Sequence, residues 1–382
     1  MTPAPDPDTL LRQGESLARQ GDLAGAAAVL ARVLQADPGN GAVHAPLTRV
    51  LAGLGDWPAL HREYLRLLEL SFTGPAADWE RCSLDLLFGK FPSAWDAYET
   101  RLTTPGLLRR PPHPEPQPLW QGQPFPGQTL LLRWEQGFGD SLQFVRFAPR
   151  VKALGGRVLL ECQAPLADLL ATCPGVDGVI PEGQPLPPFD LQLPLLSLPR
   201  VFRTTLDTVP AEVPYLSVPD HVPHREGIDR ILAATQGLVR IGLCWSGHPG
   251  HARDAERSLR PDLLRPLAAL PGAVFHSFQM DPRTPMPWAR VIPLAPVLQG
   301  GFGDTAHALT GMDLVITVDT ALAHLAGALG LPTLLLVPWF PDWRWLLGRN
   351  DSPWYPTLRL YRQPEPGAWE PVIRQVLADL SA

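Results

Sequence analysis

Residues 313–338 read DLVITVDTALAHLAGALGLPTLLLVP and decide the fold class. DLVITVD is a short run rich in β-branched residues, TALAHLAGALG has the composition of a helix, and PTLLLVP is a second apolar run. Short apolar runs on either side of one helix predict two buried parallel strands joined by a crossover. The many small residues of this helix allow it to pack closely against a sheet. The stretch therefore predicts a strand–helix–strand unit of an α/β protein.

The same alternation extends to both sides of this unit. From Val239 the chain runs through VRIGLCW (strand), LLRPLAAL (helix), AVFHSFQ (strand) and DTAHALTGM (helix), and GAWEPVIRQVLADL predicts a terminal helix. An earlier set begins at Thr129 with TLLLRW, the turn EQGFGD, the helix SLQFVRFAPRVKALG and the strand RVLLECQ, and ends near Phe202. Two sets in tandem predict two doubly wound domains, 129–238 and 239–382, with ligands bound in the cleft at the strand carboxyl ends.

The first 106 residues carry a repeat instead. Gly21, Gly55 and Gly89 are 34 residues apart. Apolar residues follow each glycine by two positions (Leu23, Trp57, Phe91) and by nine (Leu30, Tyr64, Tyr98). The pattern resembles three degenerate tetratricopeptide repeats, and the first copy matches best, at Gly14, Leu17, Ala26, Leu30 and Pro38. Residues 1–106 are thus predicted to be a helical arm, which either binds a substrate or partner protein or only packs on the rest of the chain.

A proline-rich stretch separates the arm from the α/β part. Residues 107–128 contain Pro111, Pro112, Pro114, Pro116, Pro118, Pro124 and Pro126. Neither a helix nor a central strand persists through such a run, so it is predicted to be a linker, either an extended strap or a recognition peptide.

Composition narrows the function classes. Hydrophobic residues make up 45% and charged residues 18%, as in globular proteins, and the net charge of -6 includes no basic run that would favour nucleic acid. Lysine occurs only at Lys90 and Lys152, so phosphate recognition must rely on arginine, backbone amides and helix N-termini.

The four cysteines and the N-terminus bear on location. The cysteines show no CxxC spacing, which favours buried thiols in a reducing compartment. The sequence MTPAPDPDTL lacks the features of a signal peptide, and no apolar stretch approaches the roughly 20 residues of a spanning helix. We expect a cytoplasmic protein.

Three loops at strand ends hold the candidate site. In EQGFGD, 135–140, two glycines permit a tight turn and Asp140 opens the next helix, as a cap or as a catalytic group. In SGHPGHARDAERS, 246–258, Arg257 suits a phosphate, whereas His248 and His251 lack partner ligands at a metal-binding spacing, so no metal is predicted.

The third loop, DTALAHLAGALG at 319–330, is the most specific. Asp319 and Thr320 end a buried strand and open a helix, either as ordinary caps or as part of a ligand site. The unpaired backbone amides of a helix start form a diphosphate site. His324, one turn further, is either part of that site or a half-buried helix histidine.

Residues 129–363 resemble the heptosyltransferase-type glycosyltransferases of family 9, in the variant that carries tetratricopeptide repeats. The resemblance rests on PLWQGQPFPGQTLLLRWEQGFGDSLQFVRF, CWSGHPGHARDAERS, DTALAHLAGALGLPTLLLVP and DWRWLLGRNDSPWYPTLRLYRQ, and AWDAYETRL at 94–102 fits the same variant. It implies the GT-B architecture of two facing Rossmann-like domains, and transfer from a nucleotide-diphosphate sugar to an acceptor hydroxyl with inversion, without metal or cofactor.

The resemblance also implies roles for residues. Asp140 matches the catalytic aspartate, which acts as general base. Arg257 matches a basic position at which some members have lysine. The donor and its phosphates are assigned to Ser246, Arg257, Asp319, Thr320, Ala321 and His324. Contact with the acceptor, or orientation of the base, is assigned to Glu135, Gln136 and Gly139.

Other functions remain open at this point. The first is a non-catalytic interaction scaffold that keeps a vestigial sugar-nucleotide fold, and the second is an epimerase or another enzyme that shares the donor cleft. A nicotinamide dehydrogenase is the weakest, because the glycine fingerprint is incomplete. The aromatic tract Trp339, Trp343, Trp345, Trp354 and Tyr355 either stacks on a sugar or base or packs at a domain seam. The sequence leaves open the donor sugar and its base, the oligomeric state, and whether the acceptor is a glycan, a lipid-linked glycan or, as the arm favours, a protein.

Overall fold

The computed structural model describes residues 6–37, 40–57, 59–60, 62–63, 66, 75–104, 116–251, 253–281 and 285–381. The chain forms two compact units. The first, the arm unit, comprises residues 1–104, 338–347 and 364–367, and the second, the α/β unit, comprises 105–337, 348–363 and 368–382. The domain boundaries predicted from the sequence remain a prediction.

The arm unit consists of antiparallel helices. Its described helices are α1 (Pro7–Arg19), α2 (Leu23–Ala36), α3 (Gly41–Leu54), α4 (Pro75–Leu87) and α5 (Phe91–Tyr98). Asp6 and Asp22 cap α1 and α2, each accepting a hydrogen bond from a backbone N–H in the first turn. Gly14 lies against Leu30, as expected for the first repeat. Pro38 and Tyr64 of the repeat pattern lie outside the described residues.

The segment 338–347, from the far end of the sequence, belongs to the arm unit. The ring of Trp339 lies 5.9 Å from that of Trp57, and the ring of Trp343 lies 5.6 Å from that of Trp95. Gly55 ends α3 with φ of 66°, and a Cβ there would lie 1.7 Å from the Trp339 ring. Trp339 and Trp343 of the aromatic tract therefore pack inside the arm unit, which is one of the two predicted alternatives.

Gly55→Ala is expected to destabilise the arm unit by about 2–5 kcal/mol, because both the left-handed backbone and the contact with Trp339 exclude a side chain. Gly21→Ala is the matched control: Gly21 stands at the same repeat position with φ of 86°, but nothing lies within 4 Å of its Cβ position. This control is expected to lose about 1 kcal/mol. Urea unfolding followed by circular dichroism measures both; equal losses would show that the Trp339 contact does not constrain Gly55.

The α/β unit contains two parallel sheets. The first has the order β3-β2-β1-β4 and the second the order β10-β9-β8-β5-β6-β7. The strands are β1 (Thr129–Arg133), β2 (Arg157–Cys162), β3 (Gly178–Pro181), β4 (Leu191–Pro194), β5 (Val239–Cys244), β6 (Ala273–Ser277), β7 (Ile292–Pro293), β8 (Leu314–Val318), β9 (Thr333–Val337) and β10 (Leu358–Arg362). An α/β fold with two Rossmann-like sheets, preceded by a helical arm, is thereby confirmed.

Helices of this unit connect the strands. They are α6 (Phe138–Phe144), α7 (Ala148–Lys152), α8 (Ala167–Leu170), α9 (Leu198–Val201), α10 (Arg225–Ala233), α11 (Asp254–Arg257), α12 (Phe302–Thr310), α13 (Ala321–Ala328) and α14 (Trp369–Ser381). No described helix has both the length and the apolar character needed to cross a bilayer.

The described part of the proline-rich stretch packs on the first sheet. Leu119 forms a parallel bridge to Gln192 of β4, and the backbone N–H of Trp120 donates to the Gln192 carbonyl at 2.9 Å. The side chains of Trp120 and Phe125 are fully buried. Residues 116–128 are therefore anchored to the α/β unit, whereas 107–115 of the predicted linker lie outside the described residues.

The thiols are buried, as predicted. All four cysteines are free and buried. Burial raises the pKa of the thiols of Cys82, Cys162 and Cys173 to about 12, so they stay protonated.

His276 of β6 makes stability dependent on pH. Its side chain is fully buried, and burial, with a smaller contribution from Arg240, lowers its pKa from 6.5 to about 4. The unfolded chain therefore binds the proton more tightly, and the stability that neutral His276 provides, complete above pH 6.5, is lost as the pH falls towards 4. We expect the chain to lose about 2 kcal/mol between pH 7 and pH 5 from this residue. In urea unfolding, His276→Met should flatten that slope; an unchanged slope would assign it to other groups.

Candidate functional site

The first and third loops meet within the α/β unit. The loop after β1 leads into α6, the loop after β8 leads into α13, and these two helices pack against each other. Gly139 lies at the contact, where an added Cβ would be 2.7 Å from Cδ2 of His324. The two loops follow the carboxyl ends of strands in different sheets, so both sheets contribute to one site, as expected for ligand sites in α/β folds.

Asp140 is the third residue of α6 and half-buried. Its Oδ2 accepts a hydrogen bond from the backbone N–H of Gly137 at 2.8 Å. The cap is therefore present, and it fixes the carboxylate at the start of the helix. A carboxylate held by one hydrogen bond can still accept a proton, so the cap does not exclude the role of general base, which stays a prediction.

Glu135 and Gln136 hold the same loop in place. Glu135 is buried, and its carboxylate accepts from the backbone N–H of Leu196 at 3.2 Å. The backbone carbonyl of Gln136 accepts from the side-chain nitrogen of Gln163 at 3.0 Å. The side-chain oxygen of Gln163 in turn accepts from the Ser141 hydroxyl at 2.8 Å. These contacts orient the loop that carries Asp140, while a role in acceptor binding remains a prediction.

Arg257 lies on the second loop, in the single turn of α11. Its Nε donates to the carboxylate of Asp254 at 3.0 Å, and its side chain is 16% exposed. Gly247 lies against it, since an added Cβ would be 2.5 Å from an Arg257 terminal nitrogen. The Ser258 hydroxyl accepts from the N–H of Gly247 at 3.0 Å and donates to Asp254 at 3.2 Å. The loop thus holds the guanidinium in one place.

The structure adds Gln279, which the sequence reasoning missed. Gln279 follows β6 and is buried. Its side-chain oxygen accepts from the backbone N–H groups of Trp245 and Ser246, at 3.3 and 3.1 Å, and its side-chain nitrogen donates to the Ser246 carbonyl at 3.2 Å. Gln279 therefore fixes the predicted donor residue Ser246. The sequence signal that could have identified Gln279 is a polar residue at the end of the apolar run AVFHSFQ.

The helix start at α13 lies beside the end of β5. Thr320 caps α13, its hydroxyl accepting from the N–H of Leu322 at 3.3 Å, and Asp319 precedes it. Cys244, the last residue of β5, pairs with Thr317 of β8, three residues before Thr320, and burial raises the pKa of its thiol, which keeps it neutral. An eight-residue helix that begins here with Ala321 directs its N-terminal dipole and amides at the same region.

Metal ligation finds no support in these loops. His248 and His251 accept, through Nδ1, from the backbone N–H groups of Gly250 and Arg253 in their own loop. Among the described residues no group of three or more histidine, cysteine or carboxylate side chains is placed to hold an ion. Metal independence itself stays a prediction.

One comparison with known protein families supports the predicted repeat. Residues 17–59 match the tetratricopeptide repeat family, so the predicted repeat is confirmed in the arm. The curated protein FlbA of Caulobacter vibrioides is 28% identical over 327 residues, covering 78% of this chain and 54% of FlbA. The chain thus spans about half the length of that relative.

Two bacterial glycosyltransferases are among the solved structures to which this chain is similar. A family 9 glycosyltransferase from Veillonella parvula is 11% identical, with 67% of this chain and 100% of that chain covered and a TM-score of 0.49. The ADP-heptose lipopolysaccharide heptosyltransferase II of E. coli is 14% identical, with 66% of this chain and 100% of that chain covered and a TM-score of 0.45.

Proposed function

We propose that this chain is a glycosyltransferase that transfers a sugar from a nucleotide-diphosphate donor to an acceptor hydroxyl, with inversion and without a metal ion. The observation that carries the proposal is the packing of α6 against α13. The start of α6, which carries Asp140 and follows a strand of the first sheet, thus contacts α13, which Thr320 caps and which follows a strand of the second sheet. A carboxylate and an anion-binding helix start across one cleft suit a general base and a diphosphate leaving group.

The proposed reaction assigns one task to each group. The Asp140 carboxylate takes the proton of the acceptor hydroxyl as that oxygen bonds to the anomeric carbon from the face opposite the leaving group. The bond between the anomeric carbon and the diphosphate oxygen breaks, and the nucleoside diphosphate leaves with the electron pair. Arg257 and the amides at the start of α13 stabilise the charge that develops there.

The donor residues frame the same cleft in this proposal. Ser246, held by Gln279, follows β5, and Asp319, Thr320 and Ala321 connect β8 to α13. His324 follows by one turn on the same helix. The arm, which carries a tetratricopeptide repeat, presents the acceptor or a partner protein.

The test is release of nucleoside diphosphate from a panel of nucleotide sugars, with and without a chelator, in the presence of candidate acceptors. The proposal expects acceptor-dependent release that survives chelation, and a product with the anomeric configuration opposite to that of the donor. Isomerised donor without an acceptor would show an epimerase. No turnover and no donor binding would favour a scaffold built on a vestigial sugar-nucleotide fold.

A further inference from the structure

Arg146, a residue to which the proposed reaction gives no role, is buried directly after α6, in the 3₁₀ turn Val145–Phe147. Within the described chain, each hydrogen bond that its guanidinium makes goes to a neutral oxygen and none to a carboxylate. A buried cation without a carboxylate loses its hydration, and an apolar side chain of similar volume often gives a protein of equal or higher stability. Stability alone therefore does not account for a cation at this position.

The hydrogen bonds of Arg146 join three parts of the α/β unit. One terminal nitrogen donates to the backbone carbonyl of Trp354, between β9 and β10 of the second sheet, and to that of Pro210 at 3.4 Å. The other terminal nitrogen donates to the Tyr215 hydroxyl at 2.8 Å. Pro210 and Tyr215 belong to residues 202–224, here named the connector, which lead from α9 in the half with the first sheet to α10 in the half with the second sheet. A side chain of the first half thus bonds both the connector and the second half.

Tyr215 attaches the connector to both helices of the candidate site. Its hydroxyl donates to the backbone carbonyl of Leu142 in α6 at 2.9 Å. Its backbone N–H donates to the carbonyl of Ala328, the last residue of α13, at 3.0 Å. Two halves joined by a connector can hinge only if the connector changes its backbone conformation. Because Tyr215 is bonded to α6, α13 and Arg146 at once, such a change would break buried hydrogen bonds.

The guanidinium of Arg146 also contacts α13 through an aromatic ring. It lies 4.3 Å from the ring centre of Tyr355, whose side chain is fully buried. The Tyr355 hydroxyl lies 2.8 Å from Nδ1 of His324 in α13. Gly327 of the same helix makes room for the ring, because an added Cβ there would be 2.3 Å from Cδ1 of Tyr355. Arg146 is therefore linked to α13 both by the connector and by Tyr355.

We propose that Arg146 is a positioning residue that locks the connector and so holds α6, with Asp140, at a fixed distance from α13, with Thr320. The two halves of the α/β unit then move together and do not hinge about the connector. The consequence for catalysis rests on the proposed function, in which the general base comes from the first half, whereas Arg257 and Thr320 hold the donor on the second. The lock thus sets the distance between the base and the donor, and it leaves the donor's own contacts unchanged.

Pulsed electron spin resonance on the full chain measures the distance between the two halves without any ligand. Spin labels are attached at Glu182→Cys, after β3 of the first sheet, and at Arg374→Cys, on α14, which packs on the second sheet. Both positions are exposed, whereas the four native cysteines are buried. The labelled chain is expected to give a single narrow distance distribution. Arg146→Met removes the cation and keeps an apolar side chain, so it should broaden the distribution.

Arg240→Met is the matched control. The guanidinium of Arg240 also donates to two backbone carbonyls and one hydroxyl, those of Leu232 at 2.9 Å, Gly311 at 3.4 Å and Thr235 at 3.1 Å. All three partners lie in the half with the second sheet, so the control should keep the narrow distribution. Equal broadening by both variants would show a general loss of packing and contradict a lock at Arg146.

Two results would overturn the proposal: a broad distribution in the chain that keeps Arg146, or an unchanged narrow distribution in Arg146→Met. Thermal unfolding shows whether each variant is folded. If Arg146→Met does not fold, Tyr215→Phe takes its place, because it removes the hydroxyl that bonds to Arg146 and keeps the ring. Its distribution should then broaden, and an unchanged one would overturn the proposal in the same way.

Transfer assays separate the lock from the proposed function. With the nucleotide sugar that the chain turns over, Arg146→Met should lower kcat by about a hundredfold, the effect of a displacement of about 1 Å, and leave donor affinity nearly unchanged. Arg146→Lys keeps the charge without the fork and should recover part of the rate. Weakened donor affinity with an unchanged kcat would contradict a role in placing the base. If the distances behave as expected but the wild type transfers no sugar, the proposed function fails and the lock stands.

Discussion

Asp140→Asn is expected to lower the rate of sugar transfer by about a thousandfold while leaving donor affinity nearly unchanged. The amide cannot take the acceptor proton. Its oxygen can still accept from the N–H of Gly137, so the helix cap and the loop should persist. Steady-state kinetics at saturating donor measure the loss, and calorimetry measures donor affinity.

Asp229→Asn is the control for this substitution. Asp229 is 54% exposed and pairs with His307, so the same change of charge outside the site should leave transfer unaffected. An Asp140→Asn variant with more than about a tenth of the wild-type rate would rule out Asp140 as the general base, because a lost base costs at least a hundredfold.

Arg257→Ala is expected to weaken binding of the nucleotide sugar by about 10- to 100-fold. The guanidinium is held by Asp254 and lined by Gly247, and a charge-assisted hydrogen bond to a phosphate contributes about 1.5–3 kcal/mol. Arg257→Lys should recover part of the affinity, because the charge remains while the fork is lost. Calorimetry with the nucleotide sugar and with the bare nucleoside diphosphate measures both.

The matched control is Arg260→Ala, three residues along the same loop. The side chain of Arg260 is 74% exposed and pairs with Asp262 at the surface. Its loss should therefore not change donor affinity. Equal weakening by both variants would indicate a general effect of positive charge and contradict a specific phosphate contact at Arg257.

Local patterns predicted the strands better than the helices. The runs in 313–338 became Leu314–Val318 and Thr333–Val337, because apolar β-branched runs between turns have few alternatives. LLRPLAAL, predicted to be a helix, forms 3₁₀ turns over Pro261–Ala269, because Pro266 removes a backbone donor inside it. The apolar stretch FDLQLPLLSL, at 189–198, forms a strand at Leu191–Pro194, after which helical turns begin.

The residues of the candidate site also differ in whether the sequence alone could predict them. The loops of Asp140 and Thr320 could be placed at strand ends from the sequence, because parallel strands end on one edge of a sheet. Gln279 and Tyr355 could not, since their partners Ser246 and His324 lie 33 and 31 residues away and no local spacing records such pairs. The aromatic tract also divides: Trp339 and Trp343 lie in the arm unit, whereas Tyr355 lies in the α/β unit with its hydroxyl against His324 of α13.

The proposed function requires a nucleotide sugar to bind between the Asp140 and Thr320 loops. The most direct test is calorimetric binding of a panel of nucleotide sugars and bare nucleoside diphosphates to the wild type, Arg257→Ala and Asp140→Asn. We expect that one nucleotide binds, that Arg257→Ala weakens its binding, and that Asp140→Asn leaves it unchanged. No binding of any panel member to the wild type, or binding that neither substitution affects, would contradict it.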